Sequence, residues 1–193
     1  RTFQKGHDWI AGLRTLSLLA RRRSTPGKSA FFIRLHGCPI HCSWCDSAGT
    51  WHPDHRPESV DHMDPQELAD EAFLSCPEIV VITGGEPAIH DLQDLAYQLR
   101  SRNLPVHLET CGAFPITGEM DWITISPKWA SLPIEETLEF ADELKIIVED
   151  DQSIAKWSEK LSLAEFNLPV WLHPEWSRSK DPAVLESINQ WVK

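Results

Sequence analysis

The stretch that decides the fold is Ile79-Val80-Val81-Ile82-Thr83-Gly84-Gly85-Glu86-Pro87. A short apolar run, rich in β-branched residues and closed by Gly and Pro, predicts a strand covered on both faces. The same character recurs at Phe31–Leu35, Val106–Glu109, Trp122–Ile125, Leu144–Val148 and Val170–His173. Helical spacings lie between them. Asp64-Pro65-Gln66-Glu67 is a helix start, with Asp as cap and Pro in the first turn. Leu68, Ala72 and Phe73 then form its apolar face. Further helices are predicted over Ile89–Arg102, Asp151–Leu163 and Asp181–Val192. Strands that alternate with helices build βαβ units and a mainly parallel sheet. About six strands are too few for a closed eight-stranded barrel. The expected fold is an α/β partial parallel barrel, a single domain over residues 1–193, with residues 1–30 as an atypical N-terminal segment.

In parallel α/β folds ligands collect at the carboxyl ends of the strands. After the run at Phe31 comes His36-Gly37-Cys38, and after the run at Ile79 comes Gly84-Gly85-Glu86-Pro87. Thr110-Cys111-Gly112, Ser126-Pro127-Lys128 and Pro174-Glu175-Trp176 follow later runs. Any one of these is an ordinary polar loop. As a set on one sheet edge they mark a site.

The chemistry sits in Cys38-Pro39-Ile40-His41-Cys42-Ser43-Trp44-Cys45-Asp46. Three thiolates this close suit an iron–sulfur core, zinc or copper(I). Structural zinc normally takes four protein ligands. His41 is an available fourth donor, but it abuts Cys42, and Cys76 and Cys111 are remote. Three thiolates on a four-iron cube leave one iron open. A zinc module or three packed free thiols are the plainer alternatives. Cys76, before Pro77, is expected to be an ordinary buried cysteine, and Cys111 stays outside the ligand set.

The chain has 193 residues, five of them cysteine, and a formal net charge of -11. An odd, clustered cysteine set is not a secreted disulfide framework. The acidic balance argues against direct nucleic-acid binding, which draws on a basic surface. Arg21-Arg22-Arg23, beside Arg14, is the local exception and reads first as a solvated loop. No apolar run approaches the roughly 20 residues of a membrane span. No secretion signal opens the chain, so a cytoplasmic location is expected. It begins at Arg1 rather than Met, which leaves room for native residues ahead of it.

The Cys38-x3-Cys42-x2-Cys45 spacing, with Trp44 before the last cysteine, resembles the signature of the radical S-adenosylmethionine superfamily. Thr83-Gly84-Gly85-Glu86-Pro87 resembles its Gly-Gly-Glu-Pro motif. The two in order, each after a predicted strand, make a specific pair. The resemblance implies a 4Fe–4S cluster on Cys38, Cys42 and Cys45. It implies that S-adenosylmethionine chelates the open iron, and that an electron cleaves its C–S bond to release a 5′-deoxyadenosyl radical. A partner protein such as flavodoxin or ferredoxin would supply that electron.

Within that superfamily the chain resembles the 7-carboxy-7-deazaguanine synthase family. The matching pieces are Phe32-Ile33-Arg34-Leu35, Trp44-Cys45-Asp46-Ser47, Glu109-Thr110-Cys111-Gly112, Ile125-Ser126-Pro127-Lys128, Glu143-Leu144-Lys145 and Leu172-His173-Pro174. The implied reaction is ring contraction of 6-carboxy-5,6,7,8-tetrahydropterin, assisted by magnesium, in a homodimer of the queuosine pathway. By position, Trp44, Cys45 and Asp46 flank the cofactor and Ser47 offers a hydroxyl to magnesium. Arg34 pairs with a pterin carboxylate, for which its planar fork is suited. Thr83 touches substrate and Gly85 the cofactor. Ser126, Pro127 and Lys128 line the adenosine side, and His173, Pro174, Glu175 and Trp176 form a further cofactor stretch. The family's Gln-Gly-Glu-Gly before the first strand is missing, with only Lys5-Gly6 and Pro26-Gly27-Lys28 in that region. A nearby alternative is a radical activase that draws hydrogen from a partner protein's glycine, sharing both motifs.

Overall fold

A computed structural model describes residues 10–19, 27–55, 57–163 and 167–192. Lys5-Gly6, Arg21-Arg22-Arg23 and Pro26 lie outside the described residues. The strands are β1 (Ile10–Leu19), β2 (Ser29–Leu35), β3 (Asp61–Met63), β4 (Ile79–Gly84), β5 (Val106–Thr110), β6 (Trp122–Ile125), β7 (Glu143–Val148) and β8 (Val170–Pro174). The helices are α1 (Pro65–Leu74), α2 (Gln93–Ser101), α3 (Glu135–Glu139), α4 (Ser153–Leu161) and α5 (Pro182–Trp191). All strands join one open sheet in the order β3-β1-β2-β4-β5-β6-β7-β8.

The six predicted strands are β2 and β4 to β8, and neighbours among them pair in parallel. Two strands were not predicted. β1 pairs antiparallel with β2, and the short β3 with β1. The reason β1 escapes a reading by pattern lies in its register. Leu13 pairs with Arg34 but Leu16 with Phe32, three steps on one strand against two on the other. One extra residue is a bulge, and it breaks the period-2 alternation that marks a strand.

Burial alternates along the parallel strands. On β4, Val80 and Ile82 enter the main core, while Val81 and Thr83 turn to the other face. On β7, Leu144, Ile146 and Val148 enter that core, while Lys145 and Ile147 face a cavity. The core is closed by Leu68 and Ala72 of α1, Leu95 and Leu99 of α2, Ile154 and Trp157 of α4, and Val184 of α5. One sheet face is therefore sealed by helices, and the other is left to the site.

Helix ends differ from the sequence-based expectation. Phe73 is exposed rather than part of the α1 face; it lies five residues past Leu68, about 140° round the helix from it. Pro87–Ile89 makes a single 3-10 turn, and α2 starts only at Gln93. Asp91 Oδ1 accepts from the Gln93 N–H at 3.0 Å and so does the work of a cap. Cys76 is exposed, not buried, and sits in the left-handed region at φ 49° just beyond α1.

Candidate active site

A cavity of about 290 Å³ opens at the carboxyl ends of the parallel strands. Arg34, Cys38, Cys42, Trp44, Cys45, Asp46, Ser47, Thr83, Gly85, Ser126, Lys128, His173, Pro174, Glu175 and Trp176 all line it. Of the residues predicted for the site, only Pro127 is not in the lining; it is buried behind it. The clustering follows from parallel topology, which brings every strand exit to one edge.

The cysteine loop leaves β2 and folds back on itself. Gly37 donates its N–H to the Thr50 carbonyl at 2.9 Å, and the Thr50 hydroxyl donates to the Ser47 carbonyl at 2.7 Å. His41 stacks on Trp51, with ring centroids 4.3 Å apart, and is not among the cavity-lining residues. Cys38, Cys42 and Cys45 are free, partly exposed thiols. Burial pushes the Cys38 and Cys42 thiols up, and at Cys42 the nearby Lys128 pulls the other way. Metal coordination displaces such protons.

The β4 exit is pressed against this loop. The Gly85 N–H donates to the Leu35 carbonyl at 2.9 Å, and the Glu86 N–H to the Gly37 carbonyl at 2.8 Å. A Cβ on Gly85 would lie 2.0 Å from the Gly37 oxygen, so only glycine allows the approach. The next side chain, Glu86, is buried. Its carboxylate accepts from the Ala88 N–H at 3.0 Å, the Cys111 N–H at 2.8 Å and the Thr110 hydroxyl. One carboxylate thus ties the ends of β4 and β5 together.

Several lining residues had no role assigned from sequence, among them Phe32, Ile40, Glu109, Thr110, Cys111, Lys145 and Ile147. The Thr83 hydroxyl donates to Glu109 at 3.3 Å, and Lys145 pairs with Glu109 at 3.6 Å. Glu109 and Lys145 sit on strands, at alternating positions that face inward. A lone charged residue directly after an apolar one inside a strand, Glu109 after Leu108 and Lys145 after Leu144, is the signal that could have found them. The Arg34 guanidinium donates to the Ser47 hydroxyl at 2.9 Å, which donates on to Asp46 at 3.1 Å. Lys128 Nζ donates to the Ser126 carbonyl and hydroxyl and stands 5.7 Å over the Trp44 ring. Burial pulls the Lys128 ammonium down, while Cys42 raises it. Glu175 is engaged in its own turn, accepting from the Ser177 N–H at 3.1 Å and from the Ser177 hydroxyl.

These residues fit an iron–sulfur cluster. Three thiols share one cavity, and no three His, Cys, Asp or Glu side chains among the described residues gather as a single-ion site. Thiols set apart around a cavity suit a polynuclear core, whose irons each take their own ligand. Cys111 lines the same cavity but is a poor fourth ligand. It leaves the end of β5 rather than the cysteine loop, its sulfur accepts from the Ala113 N–H at 3.4 Å, and burial, reinforced by the Glu86 carboxylate, pushes its thiol up.

An open parallel sheet with three thiols at its ligand edge defines a protein of the radical S-adenosylmethionine class. Residues 32–128 match the Radical SAM superfamily. A 7-carboxy-7-deazaguanine synthase of Synechocystis sp. is 44% identical over 151 residues, 78% of this chain and 70% of that one. A second, from Flavobacterium psychrophilum, is 36% identical over 156 residues, 80% of this chain and 71% of that one. The crystal structure of QueE from Escherichia coli superposes with a TM-score of 0.81 at 27% identity, covering 96% of this chain and 91% of that one. The chain belongs to the 7-carboxy-7-deazaguanine synthase family of the radical S-adenosylmethionine superfamily. Among the described residues no helix is long and apolar enough to cross a membrane.

Proposed function

We propose that this protein is a radical S-adenosylmethionine lyase that contracts the ring of 6-carboxy-5,6,7,8-tetrahydropterin to form 7-carboxy-7-deazaguanine, in the deazapurine route toward queuosine. The observation that carries this reading is one cavity holding three free thiols together with a guanidinium, a hydroxyl and a paired carboxylate. Cys38, Cys42 and Cys45 hold the 4Fe–4S cluster. Bound there, the cluster supplies the electron that splits S-adenosylmethionine. The rest of the chemistry is binding, orientation and exclusion of water.

Gly85 lets backbone approach the cofactor, and Trp44, Asp46, Ser126 and Lys128 flank it, with Pro127 shaping the turn behind. His173, Pro174, Glu175 and Trp176 cover its remaining side. Arg34 takes the pterin carboxylate as a fork, and Thr83 and Glu109 meet the ring. Magnesium suits the hard oxygens of Ser47 and Asp46. Arg34 donates to Ser47, so the fork for the carboxylate and the hydroxyl for the cation would lie side by side. A reduced thiol set suits the cytoplasm, a small iron–sulfur or flavin protein serves as electron donor, and the single domain works as a homodimer.

The test is direct. Reduced, anaerobically reconstituted protein is incubated with S-adenosylmethionine and the carboxypterin, and products are read by mass spectrometry. 7-Carboxy-7-deazaguanine is the expected product. 5′-Deoxyadenosine without a deazapurine overturns the substrate reading and turns attention to a protein-glycine activase. Zinc in place of about four irons per chain overturns the chemistry as a whole. Arg34→Ala should raise KM for the pterin about tenfold, the usual weight of a charge-assisted bond.

A further inference from the structure

The turn after β6 is held from two sides. Its start is tied to β5, where the Ser126 N–H donates to the Thr110 carbonyl at 2.7 Å. Its centre closes on itself, with the Ser131 N–H donating to the Lys128 carbonyl at 3.1 Å. Lys128 points into the cavity, over the Trp44 ring that stands between Cys42 and Cys45. The next side chain, Trp129, goes elsewhere. It stacks on Trp157 of α4, with centroids 3.8 Å apart and planes 19° from parallel. Trp157 is 2% exposed and belongs to the main core, whereas Trp129 is 44% exposed and is absent from the cavity lining.

The two halves of that stack therefore differ in purpose. Trp157 fills the core between α4 and the sheet. Trp129 leaves nearly half its surface in water, so burial is a weak account of it. What the stack does is fix one end of a short turn to a rigid helix. Trp129 lies inside the turn that the Ser131 N–H closes on the Lys128 carbonyl, so fixing its ring on α4 fixes the turn from which Lys128 enters the cavity. Lys128 in turn reaches Trp44 within cation–π range. A continuous physical link runs from α4 through the turn to the cysteine loop.

We propose that Trp129, through its stack on Trp157, is a positioning residue that holds the Ser126–Lys128 turn against S-adenosylmethionine. The proposal rests on the reading of Ser126 and Lys128 as cofactor contacts. Trp129 itself touches neither cofactor nor substrate; it removes the freedom that the turn would otherwise lose on binding.

The experiment uses anaerobically reconstituted protein and equilibrium dialysis of S-adenosylmethionine, without the pterin. Near-ultraviolet circular dichroism follows the indole pair, and amide exchange follows residues 126–131. Trp129→Ala should abolish the coupled indole signal, speed exchange in the turn and weaken cofactor binding roughly fivefold, the reach of one aromatic pair. Iron content should stay that of the parent. Trp129→Phe should restore affinity to within about twofold, because a phenyl ring still stacks, and it also keeps the test decisive if the alanine variant does not fold. Lys128→Ala should weaken binding as well, and Trp129→Ala on that background should add little. Should Lys128→Ala weaken binding while Trp129→Ala binds like the parent, the positioning role is overturned and the cofactor reading of the turn stands. Should Lys128→Ala itself bind like the parent, the cofactor reading of the turn fails, and the proposal falls with it. A loss of iron in Trp129→Phe would mark the residue as merely structural and also overturn the proposal.

Discussion

Glu86 lines the cavity and serves it by holding backbone in place. Its buried carboxylate accepts three hydrogen bonds and joins the exits of β4 and β5. Glu86→Gln puts an amide NH2 where an acceptor is needed, leaving a donor against a donor. The expected loss is about 2 kcal/mol, which in a chain of this size is roughly 4–8 °C in melting temperature. Thermal unfolding of the iron-free protein reads it. The cysteines divide as sharply. Cys42→Ser should remove most of the reconstituted iron, because a hydroxyl is a poor ligand for iron–sulfur cores. Cys111→Ser should leave iron content unchanged, since Cys111 follows β5 and stands outside the cysteine loop. Iron assay beside the visible absorbance separates the two. Spacing already sets Cys111 apart from the cysteine loop; that its side chain nonetheless lines the same cavity beside Glu86 is decided by the fold.

At the scale of elements, strand exits and helix starts carry the site. The β4 exit works because two backbones touch where a Cβ cannot fit. Gly85→Ala would place that atom 2.0 Å from the Gly37 oxygen, so the cysteine loop must shift. Soluble protein with most of its iron-binding capacity lost is the expected result, read by reconstitution and absorbance. The α2 start is governed by Asp91. The Gln93 N–H, with the Thr117 hydroxyl behind it, holds the Asp91 carboxyl below the usual range. A depressed folded value means this stabilisation is complete above the unfolded pKa of about 4 and fades as pH falls through the folded one. Asp91 is solvent-exposed, so the effect is modest. Asp91→Ala should cost about 1 kcal/mol at pH 7, as other lost caps do, and progressively less as pH falls below about 4, in paired urea titrations. Sequence patterns placed the six parallel strands closely. They placed helix starts less well, because Ile89 is apolar yet sits in a 3-10 turn, and a cap is a matter of local hydrogen bonds.

For the whole molecule, the consequence of an open sheet is that cofactors complete it. Helices seal one face, and the other face at the strand ends is polar and hollow. A ligand that binds only the folded state adds about 2.7 kcal/mol at 100 times its Kd. In a chain of this size that is a rise of roughly 5–10 °C. Iron-loaded protein should show it on addition of S-adenosylmethionine. Cys45→Ala should show none, and calorimetry under anaerobic conditions decides. The antiparallel pair β1 and β3 widens the sheet beside β2, the strand that carries Arg34 and leads into the cysteine loop. Their contribution lies outside the βαβ grammar and had no sequence signature.

Periodicity and spacing alone determined the parallel α/β architecture, the cluster of three cysteines and the sheet edge on which it lies. Those properties are written in local order: apolar runs, turn residues and metal-ligand intervals are each contained within a few neighbouring positions. Only the folded chain decided that Glu109 and Lys145 meet, that Arg34 is held by Ser47, that Cys111 is bound by Glu86 and that Trp129 is anchored to α4. Each of those depends on burial and on partners far away in the chain, and such long-range contacts leave no periodic trace in a single sequence.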